Sequence, residues 1–345
     1  MSRLTPLYLT LACTFGVLVA ASAPARVLTL SYQTDTTAVV RDAAAGDSTV
    51  TALTSPQGRL LVGTGLIAAD AAHDLVYVVA NTDPLGPGAG APAAVLFFRY
   101  GSSPLPSGSL VAPSGRYFTA LAFDPTAARI VGVVTDASDP ATVVPQVFTV
   151  STSNGTSIGL PTYVNANAGC CRFSAGIAAW RASSQELFMV GRRNGDTQDQ
   201  LLRFNLGGGA PGPDAYPITG DSLIALAIDS QNGNLYGLAH GVVAFTRLVQ
   251  ITYSAPGSAA TLSSIGSAPS ECCYVAGGPA TIDGSGAARA LFVLDRDAAT
   301  IGPMRLSSFN LASGTRQVVR AASNGYGLWT DPAATFDRIF ANGFE

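Results

Sequence analysis

The stretch Ala225-Leu226-Ala227-Ile228-Asp229, followed by Ser230-Gln231-Asn232-Gly233-Asn234 and then Leu235-Tyr236-Gly237-Leu238, decides how this 345-residue chain folds. Two apolar runs of strand length flank a polar turn that opens on an aspartate, whose carboxylate can accept backbone N–H bonds within the turn. The same phrase returns along the chain. It reads Leu66-Ile67-Ala68-Ala69-Asp70 before Leu75–Val79, and Ala120-Leu121-Ala122-Phe123-Asp124 before Ile130–Val134. A third copy, Gly176–Trp180 before Leu187–Val190, has Trp180 where the others have Asp. Gly278–Asp283 before Leu291–Leu294 is a further copy, and Gly327–Asp331 before Phe336 and Ile339-Phe340 is the last. The anchor positions 70, 124, 180, 229, 283 and 331 lie 54, 56, 49, 54 and 48 residues apart.

A hairpin uses roughly twenty of those residues. The rest carry a second pair of runs around a turn, as in Gln146–Val150 before Asn154-Gly155 and Leu306–Asn310 before Ser313-Gly314. Asn-Gly and Ser-Gly suit such turns because they tolerate positive φ. Four strands in about fifty residues is the size of one propeller blade. The expectation is therefore an all-β propeller of six four-stranded blades, set against five, seven or an open array. The innermost strand of each blade packs near the axis, where room is scarcest, and Ala68, Ala122, Ala178, Ala227 and Ala280 fall on those strands. The chain begins with strand-like residues that lack an inner pair and ends with an inner pair that lacks outer strands. Residues 323–345 are thus expected to supply the inner strands of a blade whose outer strands come from residues 27–65, which would remove two open sheet edges. The competing reading makes 336–345 a separate C-terminal tail; its Asp-x-Ile-Phe-x-x-Gly-Phe-Glu ending resembles one seen on exported proteins of some Gram-negative bacteria.

The pattern apolar-Ala-apolar-Asp-turn-Leu-Tyr, clearest from Leu226 to Leu238 and continued from Arg247 to Ser264, resembles the repeats of secreted NHL- and YVTN-type β-propellers. That resemblance implies the fold over most of 27–340. It implies no particular activity, because such repeats host many functions.

At the N-terminus, Met1-Ser2-Arg3, the apolar stretch Leu4–Ala20 and Ala21-Ser22-Ala23-Pro24-Ala25 form the three parts of a secretory signal peptide, with cleavage after Ala23 or Ala25. Residues 1–25 are read as the signal and 26–345 as one propeller domain, periplasmic or extracellular. No later apolar run is long enough to span a membrane. The chain has no lysine, 19 arginines, 19 aspartates and three glutamates. No arginine cluster exceeds Arg192-Arg193, which excludes the concentrated basic face that nucleic-acid binding needs.

His73 and His240 are the only histidines, so a multi-histidine metal centre is excluded, and neither a metal nor a cofactor is expected. His73 reads as a solvated turn residue. No nucleophile elbow, phosphate-binding loop or zinc-protease helix motif occurs. The unusual feature is a pair of adjacent cysteines, Cys170-Cys171, matched by Cys272-Cys273. Each pair is placed in the loop entering an innermost strand. Four cysteines allow three connectivities, and export makes disulfides the expectation. Pairing within each dipeptide must strain across Cα atoms about 3.8 Å apart, whereas pairing between dipeptides must join two blades that are not neighbours. Two vicinal disulfides acting as loop clamps are the expectation, with Arg116, Arg172, Asp221, Glu271 and Tyr274 as candidate ligand-binding residues near the channel mouth.

Two function classes remain. One is a non-enzymatic binding or scaffold propeller for an unidentified protein, glycan or small ligand. The other is an exported hydrolase or lyase using Asp221, Glu271 and His240. Non-reducing peptide mapping of the mature protein should find each cysteine pair closed on itself; recovery of residue 170 linked to residue 273 would overturn that pairing.

Overall fold

The computed structural model describes residues 26–34, 36–43, 48–55, 66–81, 93–136, 144–166, 170–193, 196–208, 211–241, 246–266, 273–284, 286–297, 305–320 and 325–331. Six antiparallel four-stranded sheets stand side by side as the blades of a propeller. The first blade holds β4 (Ile67–Asp70), β5 (Leu75–Ala80), β6 (Ala94–Arg99) and β7 (Leu110–Val111). The second holds β8 (Arg116–Asp124), β9 (Arg129–Asp136), β10 (Gln146–Ser151) and β11 (Thr162–Asn165). β12 (Cys170–Arg181), β13 (Glu186–Arg193), β14 (Gln200–Asn205) and β15 (Asp214–Pro217) form the third. The fourth is β16 (Asp221–Ile228), β17 (Leu235–Gly241), β18 (Thr246–Thr252) and β19 (Thr261–Ser264). The fifth is β20 (Cys273–Asp283), β21 (Ala290–Asp297), β22 (Arg305–Asn310) and β23 (Arg316–Arg320).

The sixth blade is built from both ends of the chain. β24 (Gly325–Asp331) pairs antiparallel with β1 (Arg26–Thr34), from Arg26 opposite Asp331 to Ser31 opposite Gly325. β2 (Thr37–Asp42) and β3 (Ser48–Thr54) complete it. Closure thus joins the segments expected from the sequence, with one correction: among the described residues the C-terminal segment contributes a single strand and the N-terminal segment contributes three. The signal segment 1–25 and the tail beyond Asp331 lie outside the described residues.

Each sheet is sandwiched between two neighbours, so its middle strands bury both faces. All six residues of β5 are buried. The core accordingly divides into one apolar cluster per seam. Leu223, Leu226, Leu235 and Val249 of the fourth blade meet Phe188, Leu201 and Tyr216 of the third, while Ala225, Tyr236 and Leu238 turn the other way to meet Leu291, Val293 and Phe309 of the fifth. The alternation within β16 and β17 is the period-two rule of a strand, with both phases apolar. The alanines predicted for the axis, Ala68, Ala122, Ala178, Ala227 and Ala280, all line one central cavity of 280 Å³ together with Trp180.

Two blade types alternate along this part of the ring. In β8 a single extra residue, Thr119, lies between the pairs Phe118–Val134 and Ala120–Val133. In β16, Ile224 does the same between Leu223–Ala239 and Ala225–Leu238. β12 and β20 instead carry longer excursions, with residues 174–177 opposite Val190 alone and 276–279 opposite Leu294 alone. Gly176 takes φ +82° within the first of these. Although their blades are not adjacent, β12 and β20 bring Cα atoms within 8 Å of each other. The third and fifth blades, which are not neighbours in the ring, thus approach one another at their inner edges.

The aspartate turns behave partly as expected. Asp124 accepts from Thr126 N and Ala127 N, and Asp229 accepts from Gln231 N. Asp70 instead contacts the ring of His73 (Nδ1 to Oδ2, 2.7 Å), so His73 is a partly exposed residue hydrogen-bonded to a buried carboxylate rather than a freely solvated one. The third copy needs a register correction. Arg181, not Trp180, closes that turn opposite Glu186, as Asp124 closes its turn opposite Arg129. The salt bridge is preserved with its signs exchanged: Asp124–Arg129 at 2.9 Å and Arg181–Glu186 at 2.8 Å.

Glycines mark where the bulges press on the next strand. A Cβ on Gly132 would stand 2.2 Å from the Ala120 carbonyl oxygen and 2.7 Å from the Phe148 ring, and one on Gly237 would stand 2.7 Å from the Ala225 oxygen. Gly132→Ala should lower stability by about 1–3 kcal/mol through overpacking, and Gly237→Ala by less, read from urea midpoints at unchanged slope.

Candidate functional site

The ring has two ends: an entry end, where the innermost strands begin, and a turn end, where they reach the aspartate turns. At the entry end the third and fourth blades part around a cleft of 420 Å³. The start of β16 places Asp221 and Ser222 in its wall, the end of β17 places His240 and Gly241, and β13 with the segment that follows places Arg192 and Asp199.

Asp221 is held by Arg247 of β18, two strands away. Nη1 donates to Oδ1 at 2.9 Å and Nη2 to Oδ2 at 2.6 Å, a bidentate, charge-assisted pair. Gly241 of the intervening β17 lies opposite Asp221, and a Cβ there would come within 3.1 Å of Oδ1. The missing side chain lets the two groups meet across the middle strand. Arg247 Nε also donates to Ser264 Oγ at 2.8 Å. The bond to Asp221 raises the guanidinium pKa against a smaller opposing effect of burial. On the other wall, Arg192 Nε donates to Asp199 at 2.7 Å. His240, opposite Ser222 in the β16–β17 ladder, has Nδ1 3.3 Å from the hydroxyl of buried Thr246.

A second cavity of 300 Å³ adjoins the first and shares Thr197 and Gln198 with it. Its wall includes Gln200, whose Nε2 donates to Asp196; Gln200 is 5% exposed, and its Oε1 has no hydrogen-bond partner among the described residues. The central cavity at the turn end is lined chiefly by Ala, Leu and Ile side chains with Phe123 and Trp180, and no ionisable side chain is among its lining residues.

No protein-family model matches the chain, and no curated protein is significantly similar to it. Solved structures do match. TolB from Acinetobacter baumannii aligns at a TM-score of 0.50 and 10% identity over 85% of this chain and 62% of that one, so this chain spans less than two thirds of that protein. A periplasmic gluconolactonase of Pseudomonas aeruginosa aligns at a TM-score of 0.47 and 11% identity over 86% and 82% of the two chains. At 10% identity the likeness to TolB is one of fold: the propeller ring.

Of the candidate residues, Asp221 lies in the cleft. Arg116 begins β8 in the second blade and donates Nη1 to the Val144 carbonyl at 2.9 Å, which makes it a loop clamp away from the cleft lining. Arg172 pairs through its backbone with Arg192 of the cleft wall, and Tyr274 of β20 pairs with Arg296 of β21. For both only the backbone is described, and Glu271 lies outside the described residues. The cysteines require a correction. Cys170, Cys171 and Cys273 lie within β12 and β20, not in the preceding loops, with Cys170 opposite Arg193 and Cys273 opposite Asp297. Their side chains and Cys272 lie outside the described residues, and so does their pairing. Among the described residues no group of three or more His, Cys, Asp or Glu could hold a metal ion.

Arg192, Asp199, Gln200, Ser222 and Arg247 were not singled out from the sequence. The usable signal was Gly241, a glycine ending a strand between an Asp strand and an Arg strand of the same blade. Arg247→Ala should destabilise the fold by about 1–3 kcal/mol by leaving the half-buried Asp221 carboxylate without its partner. Arg247→Lys should recover only part of this, since an ammonium cannot reproduce the fork; urea unfolding of the three proteins measures both effects.

Proposed function

We infer that this chain is an exported binding propeller that holds its ligand, without transforming it, in the cleft between the third and fourth blades. The observation that carries this reading is the commitment of the cleft carboxylates to arginines, Asp221 to Arg247 and Asp199 to Arg192. Each carboxylate is engaged by charge-assisted hydrogen bonds from its arginine, so neither stands over the cleft as an unengaged acid–base group. The expected location is the periplasm or the exterior of the cell, on the strength of the N-terminal leader pattern.

One observation favours a second reading. His240, Asp199 and Asp221 line the same cleft, and a hydrolase or lyase could use the imidazole as its acid–base group. Turnover assays on ester, lactone, glycoside and polysaccharide-lyase substrates separate the two. The binding reading expects no turnover that His240→Ala removes. Turnover by the native protein that falls at least a hundredfold in His240→Ala, with an unchanged melting temperature, would replace the binding reading with the enzymatic one.

A further inference from the structure

We propose that the ligand of this cleft is a neutral saccharide lying across Thr197 and Gln198, so that it enters both cavities; the proposal rests on the binding reading above and supplies its chemical class. The two cavities, 420 and 300 Å³, are each of the size of small-molecule sites, roughly 300–1,000 Å³. Thr197 and Gln198 line both cavities, so a ligand lying across these two residues would reach into each.

Charge selects the class. The ionic groups Arg192 and Asp199 are paired with each other, and Asp221 is paired with Arg247. An ionic ligand would have to compete with these partners and strand one charge of a pair in a partly desolvated wall. A carboxylate has about four acceptor positions, so Asp199 and Asp221 keep lone pairs for hydroxyl groups while their arginines stay in place. A wholly apolar ligand would cover these groups without satisfying them.

Gln200 adds a second, independent requirement. Its amide nitrogen is committed to Asp196, and its Oε1, buried without a hydrogen-bond partner among the described residues, is an unmet acceptor in a residue that lines the smaller cavity. Ser222 and His240 can each donate or accept in the larger cavity. Closely spaced hydroxyls that both donate and accept match that alternation.

An extended peptide fits less well. The strand edge beside the smaller cavity is already covered, since Gly257 N donates to Ala215 O at 2.8 Å and Ala260 N to Pro217 O at 2.9 Å, leaving β15 no free edge there for an added strand. Ile218 is the one large aliphatic side chain in the two walls, so pockets for apolar side chains are lacking.

The test is titration calorimetry on the mature protein with neutral trisaccharides (maltotriose, cellotriose, xylotriose and chitotriose), beside a trigalacturonate and capped tripeptides. At least one neutral trisaccharide should bind. Thr197→Trp, an exposed position on the boundary of both cavities, should abolish the heat while leaving the melting temperature in place. Gln200→Leu should weaken binding about tenfold, the loss of one hydrogen bond. If Gln200→Leu fails to fold, Thr197→Trp carries the test alone. Binding of peptides or trigalacturonate that Thr197→Trp removes, with no neutral sugar bound, would overturn the saccharide assignment and leave the cleft as a binding site. Saccharide binding untouched by Thr197→Trp would place the site elsewhere and overturn the proposal. Absence of any response to Thr197→Trp across all three ligand sets would remove both the assignment and the cleft.

Discussion

The backbone pairing of β1 with β24 is the interaction on which the ring depends. Five blades are each made from consecutive strands and could form locally, but every one is sandwiched between two neighbours and has no stable outer face of its own. Without the sixth blade, the first and fifth would each expose an apolar sheet face: Val76, Val78 and Phe98 on one side, Leu294 and Leu306 on the other. The six ladder pairs from Arg26–Asp331 to Ser31–Gly325 convert an open array into a closed one. They also tie the far ends of the chain together, which places a long loop-closure cost late in assembly.

Closure imposes a common axis, and the axis explains the small residues. Five alanines of the innermost strands line the central cavity because those strands converge there. The blades do not solve that crowding in one way. β8 and β16 accommodate it with single-residue bulges that push a carbonyl towards Gly132 and Gly237. β12 and β20 accommodate it with longer excursions and approach one another inside the ring. The two cysteine-bearing strands are the two with excursions, so the sequence repeat that paired the cysteines also marks a shared backbone geometry.

The seam between the third and fourth blades is where this architecture leaves polar groups facing a cleft. At the turn end of the same seam, Arg181, Arg203 and Glu186 knit the blades together with Tyr216 and Tyr253; Arg181 donates to the Tyr253 hydroxyl at 2.7 Å and Arg203 to Glu186 at 3.1 Å. A seam closed firmly at one end holds the walls of the cleft at the other in fixed relation. That is the preorganisation a binding site needs if affinity is not to be lost in ordering it.

The sequence by itself determined the class of fold, the blade period, the axis alanines, the turns of Asp124 and Asp229, and which chain ends meet. Each of these is written in local periodicity: apolar alternation, a turn residue at a fixed offset, a repeat of about fifty residues. Position 180 was misread because Trp180 lies one residue before the turn-closing site, and a reversed ion pair leaves no aspartate to read. Only the tertiary structure decided that Asp221 belongs to Arg247, that Arg116 clamps a loop within its own blade, that Arg192 and Asp199 share the cleft wall with Asp221, and that Gln200 lines the adjoining cavity. Those partners lie in different strands, or in different blades, at distances along the chain that no repeat unit encodes. Their meeting depends on the stagger of strands within a blade and the angle between neighbouring blades, which packing around a closed ring sets.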